Sequence, residues 1–541
     1  MFGAAVLWLE RNIFDLGRQI RFSYLPPLMV YMAAGISGLT QIVGTFFVKD
    51  YLNFSAEFLA ALGFWAGIPW VLKIPIGHLV DIIWRWKSAL VVIGALSITV
   101  SLLIILGLLG HLEFMRRIMP AENWYVLSIL LAPIGYVLQD VVADAMTVEA
   151  VPKTDCDGQP LDSATRRLMH TTMQTLGRVA IIGGGMIVAL INLWMFNGVT
   201  ELSPNMQAAV YIDIYRLALF IPLISVLGVI LGGWHKMRHA RQLSSTGIPP
   251  ERLRELLGYR PDPLAPNGWI LGGSLIFVVF TLLMGLGDYA LNQEIVFTGS
   301  LGIVVFLMYR LLHTLEPEAR RTLLGTAIII FMFRAVPGPG AGASWWQIDR
   351  LGFDQQFLSL LSLIGSSLTL AGMFIFRRFM AERSIAYVVS VLTILGTALT
   401  LPIIGMYYGL HVWTSSLTGG VVDARFIAVV DTALDSPLGQ IAMIPMLAWI
   451  ANSAPPRLKA TFFAVLASFT NLALSLRELG TKYLNQLFTV TRQLVDPDTQ
   501  GITVPADSSE LGMLLITVSL ITLCLPLATI GIVKLAQLRS A

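Results

Sequence analysis

Ser88-Ala-Leu-Val-Val-Ile-Gly-Ala-Leu-Ser-Ile-Thr-Val-Ser-Leu-Leu-Ile-Ile-Leu-Gly-Leu-Leu-Gly110 carries no ionisable side chain and is bounded by Lys87 and His111. A helix of this length, rising ~1.5 Å per residue, crosses the roughly 30 Å hydrocarbon layer of a bilayer. Similar runs recur along nearly the whole chain. They predict fourteen spans near 24–48, 56–80, 88–110, 124–150, 166–196, 208–234, 268–288, 294–314, 322–346, 355–376, 384–409, 424–451, 459–489 and 511–534. The composition agrees, with 56% hydrophobic and 13% charged residues, where soluble domains carry roughly a quarter charged. The expected class is an all-α polytopic membrane protein.

A net charge of +3 over 541 residues argues against nucleic acid as a partner, and the basic residues sit in connecting loops rather than tracts. Their distribution reports topology. With both termini cytoplasmic, most loop Lys and Arg fall on that side. Only Lys49, Arg116, Arg117, Arg350, Arg425 and Arg492 fall outside, a bias that fits the positive-inside rule and an even number of spans. A bacterial inner membrane is the expected location. Met1 to Arg21 mixes Leu7, Leu9, Ile13 and Phe14 with Glu10, Arg11, Asp15 and Arg18, the pattern of an amphipathic helix lying on the cytoplasmic surface. Cys156 and Cys524 are too few for a disulfide framework or thiolate metal site. His235 and His239 share i, i+4 spacing without a carboxylate motif, and Gly183-Gly-Gly185 lacks any nucleotide-binding pattern. No nucleophile–base arrangement suggests an enzyme, and no cofactor is expected.

The chain repeats itself. Asp50-Tyr-Leu-Asn-Phe-Ser-Ala-Glu-Phe-Leu-Ala-Ala-Leu62 matches Asp349-Arg-Leu-Gly-Phe-Asp-Gln-Gln-Phe-Leu-Ser-Leu-Leu361 at six of thirteen positions, and the same offset carries Arg178 onto Arg477. Both copies enter a helix from the outside, which implies parallel halves related by an axis along the membrane normal. The expected organisation is an amphipathic segment 1–21, a six-helix half 22–236, a Pro-rich cytoplasmic linker 237–267, two inserted helices 268–314 and a second six-helix half 315–541.

Charges inside spans are costly unless they pair or line a wet cavity. Asp140 and Asp144, four apart, share one helix face, and depth counts bring them level with Arg178. They read as a substrate- or proton-handling network, or as a structural ion bundle joining two helices. Lys73, flanked by Pro69 and Pro75, either snorkels to water or binds an anion at a gate. Arg334 precedes Pro337-Gly-Pro-Gly340, an interrupted helix of the kind that lines transporter sites. Trp345 and Trp346 are interface-belt residues or stacking platforms for a flat heterocycle. Asp431 and Asp435, again four apart, are expected to meet Arg477 as a second binding site or a periplasmic gate, with Glu478 free to satisfy Arg477 or Lys482 locally.

Gly77-His-Leu-Val-Asp81-Ile-Ile-Trp-Arg85-Trp-Lys87 resembles the Gly-x-x-x-Asp-(Arg/Lys)-x-Gly-Arg-(Lys/Arg) loop of the major facilitator superfamily, with Ile82 and Trp84 as departures. That resemblance makes Gly77, Asp81, Arg85 and Lys87 a gating motif. Ile68-Pro-Trp-Val-Leu-Lys73-Ile-Pro-Ile-Gly77, Gln139-Asp140-Val-Val-Ala-Asp144-Ala-Met-Thr-Val-Glu149 and Leu351-Gly-Phe-Asp-Gln-Gln-Phe-Leu358 look like the folate-biopterin transporter family within that superfamily. So do Gly439 to Leu447 and Pro455 to Asn471, although Lys459 stands where that family often has an acid. Muropeptide permeases are more distantly similar. The resemblance implies transport of folates, pterins or other small molecules with protons; with the charges above, the expected function is alternating-access transport of a small polar, anionic solute of that kind, coupled through protonation of Asp140 or Asp144 beside Arg178. The alternatives are a muropeptide-like sugar or peptide permease, and a non-transporting assembly or pigment-delivery factor whose inserted helices dock a membrane protein.

Overall fold

The computed structural model describes residues 18, 20–52, 54–71, 73–152, 161–245, 268–286, 289, 291–313, 315–376, 379, 383–438, 459–495 and 502–540. The amphipathic segment expected over 1–21, Cys156, most of the linker expected over 237–267 and the motif stretch 439–458 lie wholly or mainly outside the described residues, while 237–245, expected as linker, continue a helix that ends at Ser245.

The helices are α1 (Leu25–Ile36) running through a 3-10 turn into α2 (Gln41–Tyr51), α3 (Ala56–Val71), α4 (Lys73–Ile82), α5 (Lys87–Gly110), α6 (Leu112–Ile118), α7 (Ala121–Ala150), α8 (Ser163–Met195), α9 (Pro204–Ala218) and α10 (Phe220–Ser245). After them come α11 (Gly268–Leu286) and α12 (Asn292–Leu312). The remainder are α13 (Pro317–Arg334), α14 (Ala341–Leu351), α15 (Gln355–Ile375), α16 (Ile385–Tyr407), α17 (Leu410–Leu417), α18 (Ala424–Asp435), α19 (Lys459–Leu487) and α20 (Leu511–Leu535). A short hairpin, β1 (Leu494–Val495) with β2 (Ile502–Val504), lies between the last two helices.

Ten helical stretches among the described residues are long and apolar enough to cross a membrane. The remaining expected spans fall on α11, on α13 with its break, on α18 and on α19, all helical where described. Apolar side chains gain nothing by leaving lipid for protein, so close backbone approach and buried hydroxyl pairs hold such helices together. Gly94 of α5 and Gly135 of α7 show this, since a Cβ on either would meet the other's backbone carbonyl. About two helical turns away, the buried Ser101 and Ser128 hydroxyls lie 2.9 Å apart.

Helices α1–α10 form one bundle and α13–α20 another. They touch along two seams, α3 against α19 and α8 against α15. The pair α11–α12 lies against the first seam. Phe277, Val296 and Val304 share a buried cluster with Phe64 of α3 and Leu472 of α19. Gln293 donates to the carbonyl of Ala61 at 3.4 Å, while Glu294 accepts from Lys482 at 3.4 Å and from the Tyr483 hydroxyl. Leu275, Ile276, Leu283 and Phe306 face outward from the molecule.

The bundle has two ends. One carries Lys49, Asn197, Asp349 and Arg492, and the other carries Lys87, Glu149 and Lys236. At the second end Glu149 accepts from Lys87 at 2.6 Å and from Lys236 at 2.5 Å, tying α5, α7 and α10 together.

Candidate functional site

α7 places Asp140 and Asp144 one turn apart, and α4 begins at Lys73 opposite them. The Lys73 ammonium contacts Asp140 Oδ2 at 2.6 Å and Asp144 Oδ2 at 2.8 Å. Tyr31 of α1, itself buried, donates its hydroxyl to Asp144 Oδ1 at 2.6 Å. One cation thus bridges two carboxylates, and the triad carries one net negative charge. Lys73 and Asp140 are mostly covered, but the Asp144 side chain is 47% exposed.

Arg178 of α8 lies within electrostatic range of Asp140 and Tyr31. It is not their ion-pair partner. The expected Asp–Arg178 pairing is therefore corrected: Lys73, in the first turn of α4, takes both carboxylates. By the same contacts the Lys73 ammonium is paired within the protein rather than snorkelling to water.

Across the seam, α13 ends at Arg334 and the chain unwinds over Ala335 to Gly340 before α14. Unwound backbone inside a membrane needs polar partners, and α19 supplies them. Thr481 Oγ1 accepts from the Gly338 amide at 3.0 Å, and Asn485 Nδ2 donates to the Pro339 carbonyl at 3.3 Å. Gly340 sits at φ +77, ψ −171, a conformation essentially reserved for glycine, with Asn485 filling the space a side chain would need. Arg477 of α19 is exposed and lies against Gly338. Arg334 is in electrostatic range of both Arg178 and Arg477. Three guanidiniums from α8, α13 and α19 thus converge, and neither Arg178 nor Arg477 has an ion pair or side-chain hydrogen bond to a described residue.

Asp431 and Asp435 of α18 sense each other, but no described contact joins them to Arg477, which turns to the α13–α14 break instead. Lys482 pairs with Glu294 of the inserted hairpin rather than with Glu478. Glu478 faces Gly63 of α3 and lies within electrostatic range of Arg477. Trp345 and Trp346 are 3% and 7% exposed, which removes them from an interface belt. Among the gating-motif residues, Gly77 and Asp81 lie in α4 and Arg85 in the 3-10 turn Trp84–Trp86, the side chains of Asp81 and Arg85 lying outside the described set. Lys87 starts α5, bound to Glu149 with its ammonium 3.8 Å from the Trp84 ring centroid. His235 packs on the Phe22 ring at 5.4 Å.

Sequence reasoning missed Tyr31, a lone hydroxyl in an apolar run, and gave no role to Glu149 or Lys236. The two-lysine clamp on Glu149 joins helices far apart in sequence, so no spacing signals it.

Two helix bundles meeting along two seams, with charges gathered between them, make a fold of the major facilitator type. The chain belongs to the BT1 family, the folate-biopterin transporter family, which it matches over residues 34–538. It is 21% identical over 462 residues to a folate-biopterin transporter of Synechocystis sp., covering 85% of this chain and 74% of that one. Its fold is similar to that of a peptide transporter POT crystallised with sulfate, at 15% identity and a TM-score of 0.55, covering 96% and 95% of the two chains. A POT family transporter in complex with 5-aminolevulinic acid matches at 13% identity and a TM-score of 0.56, covering 94% and 95%. The nucleoside transporter NupG matches at 12% identity and a TM-score of 0.52, covering 94% and 99%. The protein is an integral, multi-pass membrane transporter of a small-molecule solute.

Proposed function

We propose that the protein is a secondary active transporter that moves a small anionic solute of the folate or pterin class, coupled to protons, by alternating access between the halves 22–236 and 315–541. Residues 246–267, beyond the end of α10 at Ser245, serve as linker and 268–314 as an added helix pair. The observation that carries this reading is the convergence of Arg178, Arg334 and Arg477. Arg334 feels two like charges, from Arg178 and Arg477, and a carboxylate or phosphoryl group near them would relieve that repulsion. Lys73 contributes no positive field, because two carboxylates offset it. The name of the Synechocystis relative supports the folate or pterin class.

Coupling falls to the triad. Asp140 and Asp144 share one cation, so a single proton added to either makes the cluster neutral. Asp144, the more open of the two, is the proton acceptor. The Lys49 end faces outward and both termini are cytoplasmic, in a bacterial inner membrane. Gly77, Asp81, Arg85 and Lys87 then gate the cytoplasmic end together with Glu149, and Asp431 and Asp435 serve the second half near its outer end.

Uptake into proteoliposomes tests the reading. Carboxylated pteridines should accumulate under an inward proton gradient in preference to neutral or cationic analogues of the same ring. Asp144→Asn should weaken gradient-driven uptake more than solute exchange at equal pH. Preference for a cationic solute, or equal loss in both assays, would overturn the anion site or the proton role respectively.

A further inference from the structure

Most described polar ties between the two bundles lie at the Lys49 end, well away from the central charges. Arg492 sits between α19 and β1 and is 5% exposed. Its guanidinium donates from Nη1 to the Val48 carbonyl at 2.7 Å and lies 5.4 Å from the Trp345 ring centroid. Val48 belongs to the last turn of α2, which ends at an extended Leu52. Carbonyls there lack intrahelical partners and carry the negative end of the helix dipole, so a buried cation is well matched to them. The next residue, Lys49, reaches Asp349 in the last turn of α14 at 2.7 Å. Two adjacent residues of one bundle are therefore held by two separate segments of the other.

Arg492 is also firmly mounted. The Thr491–Asp507 bridge closes its hairpin, the Thr489 amide donates to Glu510, and the Tyr407 hydroxyl donates to the Ser508 carbonyl at 3.0 Å. The hairpin is thus fixed to the second bundle and inserts one side chain into the first. Gln356 to Asn197 at 3.2 Å and Gln355 to the Tyr211 hydroxyl at 2.7 Å lie at the same end.

We infer that Arg492 and the Lys49–Asp349 pair form the latch that keeps the two halves shut at the Lys49 end, and that opening to this side requires both to release. The inference rests on the alternating-access reading above. Its buried arm is the stronger one, because a charge-assisted hydrogen bond sheltered from water outweighs a half-exposed ion pair.

The test reads conformation and needs no solute. In a Cys156→Ser/Cys524→Ser background, Ser366→Cys places a thiol on the α8–α15 seam, where Ser366 packs against Gly185. It lies eleven residues into α15, about 16 Å from the Lys49 end. A membrane-impermeant maleimide is added from that end. Arg492→Ala should raise the labelling rate about tenfold, the loss expected for one charge-assisted hydrogen bond present only in the closed state. Asp349→Ala should raise it by less, and the exchange Lys49→Asp with Asp349→Lys should bring it back to within about twofold of the parent. Monodisperse elution in detergent identifies folded variants, and Lys49→Gln breaks the same latch from the other half should Arg492→Ala fail to fold. Unchanged labelling in folded Arg492→Ala and Lys49→Gln would overturn the latch. Faster labelling in a protein that moves no anion would leave the latch standing and remove the transport reading instead.

Discussion

Lys73→Met leaves Asp140 and Asp144 side by side without their shared cation. At 2.6 and 2.8 Å the two contacts are each worth about 6 kcal/mol of Coulomb energy at an effective dielectric near 20, and about 1.5 kcal/mol in bulk water. Desolvation of the three charges offsets most of the larger figure. The two arms are unequal. Lys73 and Asp140 are 18% and 21% exposed, whereas Asp144 is 47% exposed and its arm is screened by solvent. Truncating Lys73 should thus cost about 3 kcal/mol, in the range for breaking a covered pair. Double-mutant cycles with Asp140→Asn and Asp144→Asn should return coupling energies of about 2–3 and about 1 kcal/mol. The assay is reversible unfolding in mixed micelles, with detergent and pH held constant. The double variant Lys73→Met/Asp140→Asn should be more stable than Lys73→Met alone, because the second change removes the stranded carboxylate. Additive losses, or a coupling to Asp144 larger than that to Asp140, would refute the geometry on which proton coupling is built.

Arg334→Gln and Arg477→Gln should each raise the KM for an anionic pteridine severalfold, and the lysine variants should recover only part of it, since an ammonium cannot reproduce a guanidinium's paired donors; normal KM values in both would dissolve the three-arginine site. Gly340→Ala should cost about 2 kcal/mol of stability, because its backbone conformation is strained for any other residue and Asn485 occupies the added methyl's place; unchanged thermal unfolding would show that the α13–α14 break relaxes freely.

The membrane class and the positions of ten spans among the described residues were legible because a span must be continuously apolar for about twenty residues. The chemistry was legible one residue at a time but not in its pairings. Asp140, Asp144, Lys73 and Arg178 all stood out as expensive charges. Helical depth counts placed Arg178 level with the aspartates, yet they say nothing of azimuth, and it is Lys73 that faces both. The same blindness joined Arg477 to Asp431 and Asp435. Repeat symmetry suggested that pairing, but it is the unwound Pro337–Gly340 segment that draws Arg477. Trp345 looked like a belt residue because it neighbours a predicted span end, and only the fold reveals the arginine above it.

The hairpin α11–α12 has a mechanical consequence. It lies on the α3–α19 seam, bonded to Ala61 on one side and to Lys482 and Tyr483 on the other, while along α8 Leu190 and Trp194 remain exposed. A machine built from two similar halves is thereby given a front and a back. On the covered side, any sliding of α3 past α19 is lubricated by protein of fixed composition. The exposed face of α8 has no such cover among the described residues, so the two seams, alike in their helices, differ in what lies against them.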